Sequence, residues 1–149
     1  MTPLDSDYAA RVRTSFSRQQ AMALLCAEMT EVGPGVTEIV LPFREELTQQ
    51  HGFVHAGIIT AIVDSACGYA ALSLMPPGVG VLTIEFKVNL LNPAAGIRFM
   101  ARGQVVKPGR SIMVCTGEVV AERADSTQQT VALMQATMMV VRDRAAVSD

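Results

Sequence analysis

The stretch from Gln49 to Pro76 constrains this chain more than any other. A polar turn containing Gly52 runs into a long apolar segment that carries one carboxylate, Asp64. On a helical wheel at about 100° per residue, Ile58, Ile59, Ile62, Val63, Ala66, Cys67, Ala70, Ala71 and Leu74 share one broad arc. That arc predicts a helix lying against a core. The remaining arc holds Thr60, Ala61, Asp64, Ser65, Gly68 and Leu72. Small residues flank Asp64 there, so a ligand or another chain can approach it closely.

Gly52 and Gly57 bracket Phe53-Val54-His55-Ala56, which places the first unpaired backbone N–H groups of the helix near His55, Ala56 and Gly57. Free donors and the helix dipole point the same way, so this end suits an anion or the oxyanion that develops at an attacked carbonyl. Ala56 and Asp64 are eight residues apart, about 12 Å along a helix axis. One helix cannot bring both to the same carbonyl carbon. If both serve one site, they come from two antiparallel copies of the helix, so the spacing argues for a homodimer with sites across the interface. A dimer of dimers fits the same symmetry.

Half of the 149 residues are hydrophobic, only 5% are aromatic and none is Trp. The core of what the length suggests is one domain must therefore come from Ala, Val, Leu, Ile and Met. A net charge of −2 offers no electrostatic footprint for nucleic acid. Cys26, Cys67 and Cys115 each lie in an apolar run and read as reduced, buried thiols, which suits a cytoplasmic protein. Two histidines and no ligand spacing give no basis for a metal, and no cofactor motif is present. The N-terminus lacks a basic segment followed by an apolar one, so no secretory signal is expected. Gly52 to Met75 is long enough to span a bilayer. Asp64 at its centre would cost about 2.5–3.5 kcal/mol there, and we expect no membrane span.

Before the central helix, 5–15 and 17–25 read as short helical pieces, with Ser17 as an N-cap and Met22, Leu24 and Leu25 as buried contacts. Ala27–Val32 and Val36–Phe43 read as strands joined through Gly33-Pro34-Gly35. Pro76-Pro77-Gly78 is expected to end the central helix. In Val79–Leu91 the period becomes 2: Leu82, Ile84, Phe86, Val88 and Leu90 face one way, Thr83, Glu85, Lys87 and Asn89 the other. Asn92-Pro93-Ala94-Ala95-Gly96 turns the chain into strands at Ile97–Val106, Ser111–Ala121 and Gln128–Val141. The expected organisation is an N-terminal extension (1–16), one domain (17–141) and a frayed tail (142–149). One long helix with a curved antiparallel sheet wrapped around it gives an α+β domain of hotdog shape.

With that arrangement, His55-Ala56-Gly57 followed by Ile-Ile-Thr-Ala-Ile-Val-Asp64-Ser-Ala resembles the PaaI-type hotdog acyl-CoA thioesterases. Phe86-Lys87-Val88, Asn92-Pro93-Ala94 and the Gly109-Arg110 turn support the resemblance over roughly residues 17 to 141. In that family the motif is His-Gly-Gly with an acidic residue eight positions beyond the first Gly. Asp64 holds the acidic place and Ala56 replaces the first Gly, keeping its N–H and adding a methyl. Gln49 stands where many relatives have Asn, and Thr83 where a hydroxyl residue often faces the acid. Asn92 replaces an Arg that often precedes the Pro.

The resemblance implies hydrolysis of an acyl-CoA thioester with Asp64 as general base or nucleophile. It also implies a backbone N–H of Ala56 on the carbonyl, with Gln49 and Thr83 orienting water, thioester or carboxylate. His55 reads as a structural hydrogen-bonder ahead of a base, and Gly57 continues the helix start. Lys107 and Arg110 have two readings, contacts to the phosphates of coenzyme A or an ordinary charged hairpin tip. A non-catalytic acyl-CoA-binding module on the same fold is the alternative, and Asp64 on the open seam argues for the enzyme.

Overall fold

The protein is described here by a computed structural model covering residues 1–142 and 147. Two short helices, α1 (Tyr8–Ser17) and α2 (Gln20–Leu25), precede the hairpin of β1 (Glu28–Gly33) and β2 (Val36–Pro42). The long helix α3 (Ala56–Leu72) follows, and then β3 (Gly80–Leu90), β4 (Arg98–Lys107), β5 (Ile112–Glu122) and β6 (Gln128–Val141). The six strands form one antiparallel sheet in the order β1-β2-β4-β5-β6-β3, and α3 packs on one face of it. The α+β expectation holds.

Helix α3 buries Ile59, Ile62, Val63, Ala66, Cys67, Ala70 and Ala71, the arc read from the wheel. What brings it close is a pair of glycines directly opposite each other, Gly103 on β4 and Gly117 on β5. A Cβ on Gly103 would lie 2.5 Å from the Ala66 carbonyl oxygen and the Cys67 nitrogen, and one on Gly117 would lie 2.5 Å from Val63 Cγ2. Next to this contact, the buried Thr37 hydroxyl donates to the Ala66 carbonyl at 2.7 Å. The β1–β2 turn is tied to the far end of the helix. Gly35, at φ +77°, donates its N–H to Ser73 Oγ at 2.8 Å, and the Ser73 hydroxyl donates to Ala70 O.

Several expectations change. The helix stops at Leu72, ahead of Pro76, because Ser73 and Arg11 take over its last carbonyls: the Arg11 guanidinium donates to Met75 O at 2.7 Å and to Leu72 O at 3.4 Å. Leu72 is buried, although the wheel puts it on the open arc, because the N-terminal helices cover that end of α3. Leu24 is 77% exposed, since Met22 and Leu25, three apart on a short helix, take the inward face. Ser17 ends α1 and bonds back to Thr14 O, so it caps nothing. Cys26 is exposed while Cys67 and Cys115 are buried; its left-handed backbone, φ 57°, closes α2 and turns the thiol outward. The frayed tail expected at 142–149 falls, apart from 142 and 147, outside the described residues.

Two corrections concern β3. It is not the hairpin partner of β4 but lies at the opposite edge, paired with β6, so 91–97 is a crossover and not a tight turn. The strict alternation expected along it is also broken. Thr83 opposes Met138 and Glu85 opposes Thr137, leaving Ile84 as the extra residue of a β-bulge. Residues opposed across an antiparallel ladder share a face. Thr83 therefore shares the helix-facing side with Phe86, Val88 and Leu90, while Leu82 turns outward opposite Met139.

Among the described residues no helix is long and apolar enough to cross a membrane. The glycine pair gives a direct test. Gly103→Ala should lower unfolding stability by about 1–3 kcal/mol, the usual cost of overpacking, read as a lower urea midpoint at unchanged slope. Wild-type stability in that variant would mean that α3 is not pressed onto β4 at this point.

Candidate active site

Asp64 is half-buried on the side of α3 that faces β3, and Thr83 Oγ1 donates to its Oδ1 at 2.9 Å. The bulge at Ile84 makes that bond possible, because simple alternation would have aimed Thr83 with Glu85 and Lys87. Burial pushes the Asp64 carboxyl above its ordinary 3.8, and the Thr83 hydrogen bond offsets part of the rise. Beside it is a cavity of about 300 Å³ with walls from Ser65, Gly68 and Tyr69 of α3 and from Ser15 and Gln19 of the N-terminal segment. Cys67, one turn along, faces the sheet and is fully buried, and burial pushes its thiol far up. It is packing, not a nucleophile.

At the other end of α3, His55 is the N-cap, and its ring Nδ1 accepts the Gly57 N–H at 2.9 Å, which requires Nδ1 to carry no proton. The Ile58 and Ile59 N–H groups reach the His55 carbonyl. Ala56, the first helical residue, is left with an N–H that has no acceptor within the helix. A second recess, about 540 Å³, opens in front of it, with Gln49, His55, Asn92 and the apolar side chains of Phe53, Ile59 and Leu91 in its wall.

This recess is a product of the crossover. Val54 N–H bonds to Ala94 O, which laces the segment after β3 to the loop before α3, and Leu91 N–H bonds to Val131 O of β6. Gln49 Oε1 accepts the His51 N–H, and Asn92 Nδ2 donates to Thr130 O at 2.8 Å. Both side chains line the recess with one end already committed to holding the loop. Lys107 and Arg110 lie elsewhere. Their turn is at the opposite end of the sheet, where Arg110 borders a separate recess with Met75 and Pro108 and its carbonyl accepts a bond from Arg142.

Within one chain, then, the structure brings Asp64 together with Thr83, and Ala56 together with Gln49, His55, Gly57 and Asn92. It does not bring the two groups together, since the two recesses share no lining residue. Ser15, Gln19 and Tyr69 are absent from the sequence expectations, and Ser65 enters them only as a small neighbour of Asp64 on the open arc. The signal for the first two was present in Val12 and Phe16, an apolar pair four apart that marks an N-terminal helix with a packed face. Phe16 meets Tyr69 edge-on at 5.6 Å between centroids.

One long helix held against a six-stranded antiparallel sheet, with a carboxylate on its open seam, is the hotdog fold. Residues 51–127 match the Thioesterase superfamily, and the chain belongs to that family. It is 32% identical to a Halobacterium salinarum protein provisionally named an esterase, an alignment covering 96% of this chain and 99% of that one. Among solved structures, a thioesterase family protein from Silicibacter pomeroyi is 52% identical, covers 91% of this chain and 98% of its own, and superposes with a TM-score of 0.89. The E. coli PaaI protein from the phenylacetic acid degradation operon shares the fold at 19% identity and a TM-score of 0.80, covering 93% of this chain and 96% of that one.

The electrostatics of Asp64 give a signed expectation. A carboxyl whose folded pKa is raised binds more protons folded than unfolded. Stability therefore falls as pH rises from 3.8 through the folded value, and the penalty is fully present at neutral pH. Asp64→Asn should accordingly be more stable than the wild type at pH 7, with the difference vanishing below pH 3.8. Thr83→Val should raise the Asp64 pKa further, read from its side-chain carboxyl carbon by NMR. A titration unmoved by Thr83→Val would remove Thr83 from the site.

Proposed function

We propose that the protein hydrolyses an acyl-CoA thioester to the free acid and coenzyme A, in a homodimer whose two sites each combine Asp64 of one chain with Ala56 of the other. The observation that carries this reading is the division of the machinery. A desolvated carboxylate and an unpaired helix-start N–H lie about 12 Å apart along one helix, in recesses that do not meet. A two-fold axis between antiparallel α3 helices joins each half to its complement. Strand β3 supports the same arrangement. It is an edge strand with Leu82, Ile84, Phe86 and Leu90 exposed, and long apolar edges call for a partner.

In such a site the Ala56 N–H, aided by the α3 dipole, stabilises charge on the thioester oxygen. Asp64 then acts by one of two routes. As base, it takes a proton from a water that attacks the carbonyl carbon; the tetrahedral intermediate expels the thiolate, which receives the proton. As nucleophile, it attacks the carbon itself, breaks the C–S bond and leaves an anhydride that water opens. Desolvation raises the basicity of the carboxylate in both, and Thr83 fixes its orientation. Gln49 offers its amide nitrogen towards the water or thioester.

Two variants and their mixture test the proposal. Asp64→Asn should remove most turnover while keeping affinity for the substrate. Ala56→Pro should cost on the order of 10²-fold and keep the helix. Proline is at home in the first helical position, and His55 already has the extended backbone, φ −59° and ψ 137°, that a following proline demands. In a mixed dimer one site collects both defects and the other neither, so random exchange should restore about a quarter of wild-type activity. Subunit exchange confirmed by mass with no recovery would place the site within one chain. Tight binding of acyl-CoA with no turnover in the wild type would instead make the protein a binding module.

A further inference from the structure

Among the described residues, one buried side-chain polar atom has no hydrogen-bond partner, and it is Gln19 Oε1. Buried polar groups are nearly always paired, so an orphan calls for a reason. This one is placed informatively, because Gln19 lines the cavity beside Asp64. Its Nε2 donates to Ser65 Oγ at 3.3 Å, and Ser65 is the next residue after the carboxylate. The amide therefore sits level with Asp64 along the α3 axis, not at the far end of the cavity near Leu72. Its polar neighbours are already engaged: Tyr69 is bonded to Ser15, Ser65 receives Gln19, and Thr83 holds Asp64.

The segment that carries Gln19 is firmly fixed. Arg11 clamps α1 onto the end of α3 through Leu72 O and Met75 O and is itself held by Asp5 at 2.7 Å. Phe16 rests against Tyr69. Ser15 and Gln19 are thus held in place as part of the cavity wall. On the thioesterase reading, a thioester at Asp64 has two arms. The nucleotide of coenzyme A is too large for a cavity of about 300 Å³, and its phosphates are repelled by the carboxylate. With the nucleotide kept outside, the proposal places the acyl arm, and not the pantetheine stem, in this cavity.

We propose that Gln19 selects the acyl group: the cavity takes an acyl chain bearing a hydroxyl a few atoms from its carbonyl, and the Gln19 amide oxygen accepts that hydroxyl's hydrogen bond. The terminal amide torsion of a glutamine is soft, so Oε1 can swing to the ligand without disturbing α1. This rests on the reading of Asp64 and Ala56 as the reacting site, and it adds the chemistry of the substrate.

The test compares hexanoyl-CoA with its derivatives hydroxylated on the second, third or fourth carbon. For the wild type, kcat/KM should favour at least one hydroxylated form by about tenfold, the scale of one hydrogen bond. In Gln19→Met, which keeps the length and removes the amide, that ratio should collapse to near unity, with the change in KM. Thermal melting of this variant should be little changed, since removing the unpaired Oε1 offsets the loss of the long Nε2 bond to Ser65. If Gln19→Met melts early, Gln19→Asn, which retracts the amide by one methylene, should show the same collapse. Binding of the same esters to Asp64→Asn by calorimetry repeats the comparison without chemistry, so the preference can be measured even in a protein with no turnover. An unchanged ratio in the variants, or a wild type that prefers the plain ester in both assays, overturns the assignment of Gln19.

Discussion

Helix α3 comes so close to its sheet that its backbone touches β4 at Gly103 and its Val63 and Cys67 side chains touch β5 at Gly117, and the rest of the molecule follows from that. The opposed pair Gly103 and Gly117 removes the two Cβ atoms that would hold the helix off. The Thr37 hydroxyl then reaches the Ala66 carbonyl, an accepting group already used within the helix but able to take a second bond. At the glycine pair so close an approach leaves no room for a large ring, and the buried Phe99 lies four residues away along β4. Where α3 meets the pair it faces inward with Val63, Ala66 and Cys67. Small residues also transmit position faithfully, because an interior packed at such density deforms little.

That precision is spent on a destabilising group. A carboxylate on a helix seam, with one hydroxyl for a partner, is worse solvated than in water, and its raised pKa is the measure of the mismatch. A chain selected for stability alone would carry Asn or Ala there. Retaining the acid is intelligible where an unhappy carboxylate is useful, as a base or nucleophile that gains by losing its charge. The unpaired amide oxygen of Gln19 repeats this logic in the same cavity. Two local violations of good packing within one recess are a stronger indication of a site than either alone.

The sequence made the helix legible because its apolar arc is long and its carboxylate solitary, and most strands because period 2 persists over many residues. Pairing order was another matter. Five small residues around Pro93 look like a turn, and nothing local says that they carry the chain across the sheet. That outcome depends on the bonds of Val54 to Ala94 and Leu91 to Val131, which are tertiary. The bulge at Ile84 was likewise hidden, since an inserted residue in a run of alternating side chains leaves the alternation intact on either side. The resemblance placed Thr83 opposite the acid while strict alternation placed it away from the helix, and the bulge resolves that conflict. Gly103 and Gly117 were within reach, since a lone glycine inside a strand often marks close backbone approach.

The crossover and the bulge act on the two ends of one strand. At its start, the bulge rotates β3 so that Thr83 looks at Asp64. At its end, the crossover folds back over the start of α3 and builds the recess before Ala56. Strand β3 thus borders both recesses, and it is also the exposed edge. For the proposed dimer this is economical. Pairing along that edge in antiparallel fashion sets the start of β3 in one chain beside its end in the other, which moves each Asp64 recess towards the partner's Ala56 recess. The same edge that exposes Ile84 and Phe86 in one chain is then, in the proposed dimer, the geometric link between the Asp64 carboxylate and the Ala56 N–H that a single helix holds apart.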